Sequence, residues 1–106
     1  MRLYLDGKLQ ATEAASGRRT RNRLPLIIGG DVDGMGGATS TFDGQIDEVH
    51  LSRGVLYRGE NPGQPARRLR ANEGTLLLLH MDGALGGFMR GAKTAGARLE
   101  EGARLR

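Results

Sequence analysis

The sequence predicts an all-β, antiparallel protein of about six strands with a Gly/Arg-rich C-terminal tail. Its 18 glycines imply many turns rather than long helices. An Asp-Gly pair separates two short alternating segments near the N-terminus, and four consecutive leucines lie within Thr75–Asp82. The 106 residues suffice for one small domain. We expect this domain to cover residues 1–83, and residues 84–106 to form a flexible or loosely packed tail.

The first two strands are predicted from the segment RLYLDGKLQAT. Asp6 and Gly7 suit the positive φ angles of a two-residue type I′ turn. Around this turn, apolar and polar residues alternate as in a half-buried hairpin, the apolar positions being Leu3, Leu5, Leu9 and Ala11.

The middle of the chain is predicted to contain one strand between two loops. Glu13–Arg23 is polar and predicts a loop or a frayed strand end. Leu24–Gly30 is a short apolar run ended by two glycines, with Pro25 near its start, and predicts a mostly buried strand. Asp31–Thr41 is too rich in glycine to be regular and predicts an exposed loop.

The segment FDGQIDEVHLS breaks strict alternation, because two acids follow Ile46 before the next apolar residue. A β-bulge at Asp47 and Glu48 would restore a single apolar face made of Ile46, Val49 and Leu51. We therefore expect both acids to accept loop N–H groups or to face solvent, since an unpaired carboxylate is costly to bury.

The remaining segments are predicted as a turn, a linker and a strand. Arg53–Tyr57 is expected to form a helical turn, and Arg58–Gly74 a linker on the surface. Thr75–Asp82 suits a strand covered on both faces. His50 is expected to face outward, and His80 to form a hydrogen bond near Asp82.

Three segments together resemble a known family: RLYLDGKL, LPLIIGGD and FDGQIDEVHLSRGVLY. They are similar to the C-terminal half of the concanavalin A-like lectin/glucanase fold, in its laminin G-like and pentraxin-like branch. The resemblance implies a jelly-roll sandwich that normally has twice as many strands, so we expect an incomplete domain. It also implies a non-catalytic module that binds carbohydrate or protein within a larger extracellular or cell-surface protein.

Two other functions stay open beside this one. The chain could be a structural spacer or adhesion module without a ligand, or a remnant of a glycoside hydrolase-associated domain. Related hydrolases carry a Glu-x-Asp-x-(x)-Glu strand. Aligned on Asp47, this sequence has Gln45 and either Val49 or His50 where the two essential carboxylates would stand. No enzyme activity is therefore expected.

Calcium is a further implication of the resemblance, because such domains often hold Ca²⁺ at a loop rim. The residues that would supply ligands are Asp31, Asp33 and Asp43, whose oxygens suit this hard cation. No other cofactor is expected.

Basic residues suggest a second kind of ligand site, since the net charge is +4. Guanidinium groups bind sulfate and phosphate well, which makes candidates of Arg18, Arg19 and Arg21. Nucleic acid is not expected as a partner, because only two tyrosines and two phenylalanines are available for stacking.

The sequence also bears on membrane insertion and on self-association. The first residues do not resemble a signal peptide, and no apolar run reaches the roughly 18 residues of a membrane span. No membrane insertion is therefore expected. Incomplete sheets leave free edges, so self-association is expected, which size-exclusion chromatography would detect.

Overall fold

The computed structural model describes residues 1–18, 20–83 and the backbone of 87–89. Within these residues every regular element is a strand, and all pairs are antiparallel, which confirms the predicted fold class. No helix of the described part is long and apolar enough to cross a membrane. The strands are β1 (Arg2–Leu5), β2 (Lys8–Thr12), β3 (Asp31–Val32), β4 (Ala38–Thr39), β5 (Val49–Ser52), β6 (Thr75–Leu79) and β7 (Gly87–Met89). Apart from β7, the predicted tail lies outside the described residues.

The hairpin of β1 and β2 confirms the predicted turn. Asp6 and Gly7 have φ angles of 50° and 75°, as a type I′ turn requires. An irregularity after Leu3 brings Tyr4 opposite Leu9, and these two side chains are half-buried. Leu3, by contrast, is 61% exposed. The covered face of the hairpin is therefore the face of Tyr4, and the face of Leu3 is open.

The hairpin is attached to the linker that was predicted between Arg58 and Gly74. The N–H of Leu9 donates to the carbonyl of Glu60 at 2.8 Å, and the hydroxyl of Tyr4 donates to the carbonyl of Gly59 at 2.9 Å. Gly7 lies against the backbone of Gly63, where a Cβ atom on Gly7 would be 2.4 Å from the carbonyl carbon. Only glycine fits at this close approach.

Strands β3 and β4 form a small hairpin where the sequence predicted only a loop. The predicted strand Leu24–Gly30 is wrong, because no strand is assigned between β2 and β3 in the residues described. Pro25 cannot donate to a sheet, and Gly29 accepts one N–H, from Phe42, rather than joining a ladder. Two apolar residues of this segment, Ile27 and Ile28, are nevertheless half-buried.

The core lies in the three-stranded sheet, whose order is β5-β6-β7. Leu77, Leu78 and Leu79 are only 6%, 4% and 3% exposed. Successive side chains of a strand point to opposite faces, so three buried neighbours mean that both faces of β6 are covered. The prediction from the four leucines is confirmed, and β6 is the central strand of its sheet.

The bulge predicted at Asp47 and Glu48 is wrong. Strand β5 begins only at Val49, and Glu48 before it has a left-handed φ angle of 54°, so neither acid belongs to the ladder. The irregularity occurs instead between Leu51 and Ser52, where β6 contributes the extra residue. Leu51 is 47% exposed rather than in the core.

The segment between β5 and β6 is irregular throughout. The helical turn predicted for Arg53–Tyr57 is wrong, since no helix is assigned there, whereas the linker Arg58–Gly74 is confirmed as irregular chain. Polar contacts with the sheet fix parts of this linker, which has no strand pairing of its own.

Replacing Leu78 by alanine should destabilise the protein strongly. Removing a buried leucine side chain leaves a cavity and costs about 2–5 kcal/mol of unfolding free energy. The matched control Leu51→Ala, on the neighbouring strand and 47% exposed, should cost much less. Urea unfolding followed by circular dichroism measures both. Equal losses for the two variants would contradict the assignment of the core to β6.

Replacing Gly7 by alanine should separate the hairpin from the linker. Gly59 provides the control, because its φ angle of 78° is close to the 75° of Gly7 and a Cβ atom there would meet nothing within 4 Å. Gly59→Ala should therefore cost only the left-handed strain of about 1–2 kcal/mol. Gly7→Ala should cost more, as measured by thermal unfolding. Similar melting temperatures would refute the close backbone approach.

Candidate functional site

Two open cavities have Tyr57 and Pro65 in common among their lining residues, and together they are here called the tyrosine groove. The first has a volume of about 310 Å³ and the second about 290 Å³. The first is also lined by Asp47, Glu48, His50, Leu56, Ala66 and Leu69, and the second by Tyr4, Asp6, Gly7, Pro62 and Gly63. The groove thus lies between the start of β5, the β1–β2 hairpin and the linker.

Glu48 organises the polar end of the groove. Its side chain is 11% exposed, and its carboxylate accepts the N–H of Leu69 at 2.7 Å. The same carboxylate lies 2.7 Å and 3.0 Å from Nδ1 of His80. A carboxylate can only accept, so Nδ1 carries the proton that His80 donates. We call these three residues the Glu48 clamp.

Strand pairing explains why the clamp forms. Val49 at the start of β5 is paired with Leu79 at the end of β6. The residue before Val49 and the residue after Leu79 therefore meet at the same end of the sheet. The left-handed backbone of Glu48 is a costly conformation for a non-glycine residue, and the contacts of its carboxylate offset that cost.

The clamp lowers the pKa of Glu48. The main cause is the hydrogen bond from the N–H of Leu69, which burial opposes, and the hydrogen bond and charge of His80 and the charge of Arg68 add to the lowering. Arg68 also forms an ion pair with Asp82, whose hydrogen bond raises the pKa of the guanidinium. Two adjacent linker residues are thus held at one end of the sheet.

Both histidines contact partners that the sequence did not reveal. His50 was expected to face outward, but its Nε2 lies 2.8 Å from Oγ1 of Thr75, a residue with no exposed surface. His80 was expected to form a hydrogen bond at the sheet end near Asp82, and it does form one at that end, with Glu48 as its partner. Only the expectation for His50 is wrong, and neither partner could be named from the sequence, since each lies on a part of the chain that only strand pairing brings close.

Two tyrosines line the other end of the groove. The ring centroids of Tyr4 and Tyr57 are 6.4 Å apart, with the rings tilted by 53°. This spacing lies within the range of favourable aromatic pairs. The hydrogen bond of Tyr4 to Gly59 fixes its ring, and Pro62 and Pro65 add apolar wall. Sequence reasoning missed this end of the groove, because no local pattern links the two tyrosines.

The acid pair Asp47 and Glu48 does not act as one unit. Asp47 is exposed at the mouth of the groove, whereas the carboxylate of Glu48 is held by Leu69 and His80. The expectation that these acids accept loop N–H groups or face solvent is confirmed. Glu48 accepts the N–H of Leu69, and Asp47 faces solvent.

The three aspartates predicted to bind calcium have separate surroundings. One oxygen of Asp33 accepts the N–H groups of Met35 and Gly37, both at 2.8 Å, and the bond from Gly37 is the largest cause of a lowered pKa of Asp33. Asp31 accepts the N–H of Val32, and Asp43 is exposed. No cluster of three possible metal-binding side chains occurs in residues 1–18 and 20–83. These side chains therefore do not fit a calcium cage by themselves, and calcium stays a prediction.

The predicted arginine site lies in the loop before β3. Arg18 and Arg21 are exposed, and neither lines the tyrosine groove. Arg19 lies outside the described residues. A ligand role for these arginines stays a prediction.

Comparison with known proteins identifies one relationship. A laminin G family model, described as the concanavalin A-like lectin/glucanases superfamily, matches residues 1–60. The match includes β1 to β5 and the start of the linker, and it stops before β6. No curated protein and no solved structure matches the chain significantly.

Replacing Glu48 by glutamine should remove a pH-dependent part of the stability. Because the pKa of Glu48 is lowered in the folded state, its charge stabilises the protein fully above the unfolded pKa. That stabilisation is lost as the pH falls through the lower folded value. We therefore expect Glu48→Gln to melt below the wild type at pH 7 and to match it in strong acid. Thermal unfolding between pH 2 and pH 7 measures the difference.

The control is Asp47→Asn, which removes an equal charge at an exposed neighbouring position. It should leave the melting temperature close to that of the wild type. If Glu48→Gln lowers the melting temperature by the same amount over the whole pH range, the negative charge of Glu48 is not what stabilises the clamp.

Proposed function

Because the chain belongs to the laminin G-like family of the concanavalin A-like lectin/glucanase superfamily, we propose that it is a non-catalytic carbohydrate-binding module. Its ligand site is the tyrosine groove, and its setting is a larger extracellular or cell-surface protein. The family supports a binding module in general, and the groove supports a small, specific ligand. A protein ligand on the same surface is the second outcome of the test below.

The observation that carries the proposal is the combination of apolar wall and polar groups in one groove. Tyr57 and Pro65 line both ends, Tyr4, Pro62 and Asp6 line one end, and Asp47 and His50 line the other. Ligand sites in proteins commonly combine apolar wall with a few polar groups that fix orientation. A sugar ring has an apolar C–H face and a rim of hydroxyl groups, so it matches both ends.

The carboxylates of the groove support binding rather than hydrolysis. Retaining glycosidases need two carboxyl groups about 5–5.5 Å apart, each free to act on the substrate. Here Glu48 is held in its clamp and Asp47 is exposed beside it. The positions that would supply the essential acids carry Gln45 and either Val49 or His50.

An array of neutral and acidic glycans, probed with the full chain with and without added calcium, tests the proposal. We expect binding that falls about tenfold or more in Tyr57→Ala, because central aromatic residues dominate binding energies. Phe42→Ala is the matched control, since Phe42 is 61% exposed and lines neither cavity. This variant should bind like the wild type.

Each other outcome has a distinct meaning. No glycan binding under either condition would contradict the lectin function and favour a protein ligand or a spacer module. Binding that survives Tyr57→Ala would place the ligand outside the groove. Binding that requires calcium and is lost in Asp33→Asn would favour the calcium site predicted at Asp31, Asp33 and Asp43.

A further inference from the structure

We propose that the tyrosine groove selects saccharides without acidic groups and rejects sulfated or carboxylated ones. This inference rests on the proposed function and names the ligand class of the same site. It runs against the overall charge of the protein, which is +4 and would favour anionic ligands. The argument rests on which charged residues line the groove.

The charge of the groove is negative. Among the residues that the structure describes, its charged lining residues are Asp6, Asp47 and Glu48, and neither lysine nor arginine lines either cavity. A sulfate or carboxylate placed there would meet charges of its own sign, and like charges brought together on binding are strongly unfavourable.

Arg68 does not reverse this sign. Its charge acts on Glu48, but its guanidinium is paired with Asp82 and it does not line the groove. Such a pair places a carboxylate next to the guanidinium, so the two charges largely cancel at the groove. The exposed charged residues that line the groove are Asp6 and Asp47.

Hydrogen-bond chemistry points the same way. The carboxylate of Asp47 can only accept, so a ligand must donate to it. Sugar hydroxyl groups donate, and their bonds to a carboxylate are charge-assisted and strong. A sulfate group offers only acceptors, which makes it the wrong partner as well as the wrong charge.

The dimensions of the groove indicate the length of the ligand. Volumes of about 310 Å³ and 290 Å³ meet at Tyr57 and Pro65, and together they fall within the usual size of small-ligand sites. A saccharide of about two rings would occupy both cavities, with one ring near the tyrosines and the other near Asp47.

The test compares matched neutral and sulfated sugars on the full chain. The probes are lactose with 3′-sulfated lactose, and a set of neutral trisaccharides with their sulfated counterparts, measured by titration calorimetry. We expect each neutral sugar that binds to do so at least about tenfold more tightly than its sulfated form. Asp47→Lys should reverse this preference.

Glu13→Lys is the charge-matched control, because Glu13 is exposed, lines neither cavity and gives the same change in net charge. It should leave the preference unchanged. Equal effects of the two lysine variants would overturn the inference, since only overall charge would then matter. Circular dichroism of each variant verifies that the fold is kept.

Preferential binding of the sulfated sugars would also overturn the inference while leaving a lectin function intact. Loss of that binding in Arg18→Ala and Arg21→Ala would place it at the arginine loop. Absence of binding to every saccharide would instead contradict the proposed function itself, so the two failures are distinguishable.

Discussion

The carboxylate of Glu48 is the contact on which the site depends. It accepts the N–H of Leu69 and holds His80, a residue 32 positions away in the chain. The first bond ties the irregular linker to the sheet, and the second joins β5 to the end of β6. Without them, the linker near Leu69 would depend on the ion pair of Arg68 with Asp82 for its attachment to this end of the sheet. A single partly buried acid thus connects the core to the tyrosine groove.

Local sequence patterns predicted the elements that are determined by neighbouring residues in the chain. Asp6 and Gly7 specify their turn through backbone preferences, and the leucines of β6 specify burial through their number. The strand predicted at Leu24–Gly30 failed because apolar composition does not supply a pairing partner. The bulge predicted before Val49 failed because Glu48 responds to residues far away in sequence. Within the site, the acids stood out in the sequence, but the groove depends on Tyr4 and Tyr57, which only the docked linker brings together.

The charge distribution distinguishes the long-range attraction of the protein to anionic surfaces from the charge of the groove itself. Composition alone gives only the net charge. The excess of arginine lies partly in the exposed loop of Arg18 and Arg21, whereas the groove is lined by acids. A net charge of +4 describes long-range attraction to anionic surfaces. It does not describe which ligand fits the groove, because short-range contacts determine binding there. On the proposed function, the same molecule would approach an acidic matrix and still bind an uncharged sugar within it.

The irregular linker has a consequence for how such a module could change its specificity. Pro62, Pro65 and Leu69 contribute to the groove from a segment outside the sheet ladders. Exposed connecting segments tolerate substitution and insertion better than paired strands do. New ligand preferences could therefore arise by exchanging a short stretch of this segment, with Gly63 and the Leu69 amide as fixed points. Directed evolution of the groove could then proceed while the leucine core stayed untouched.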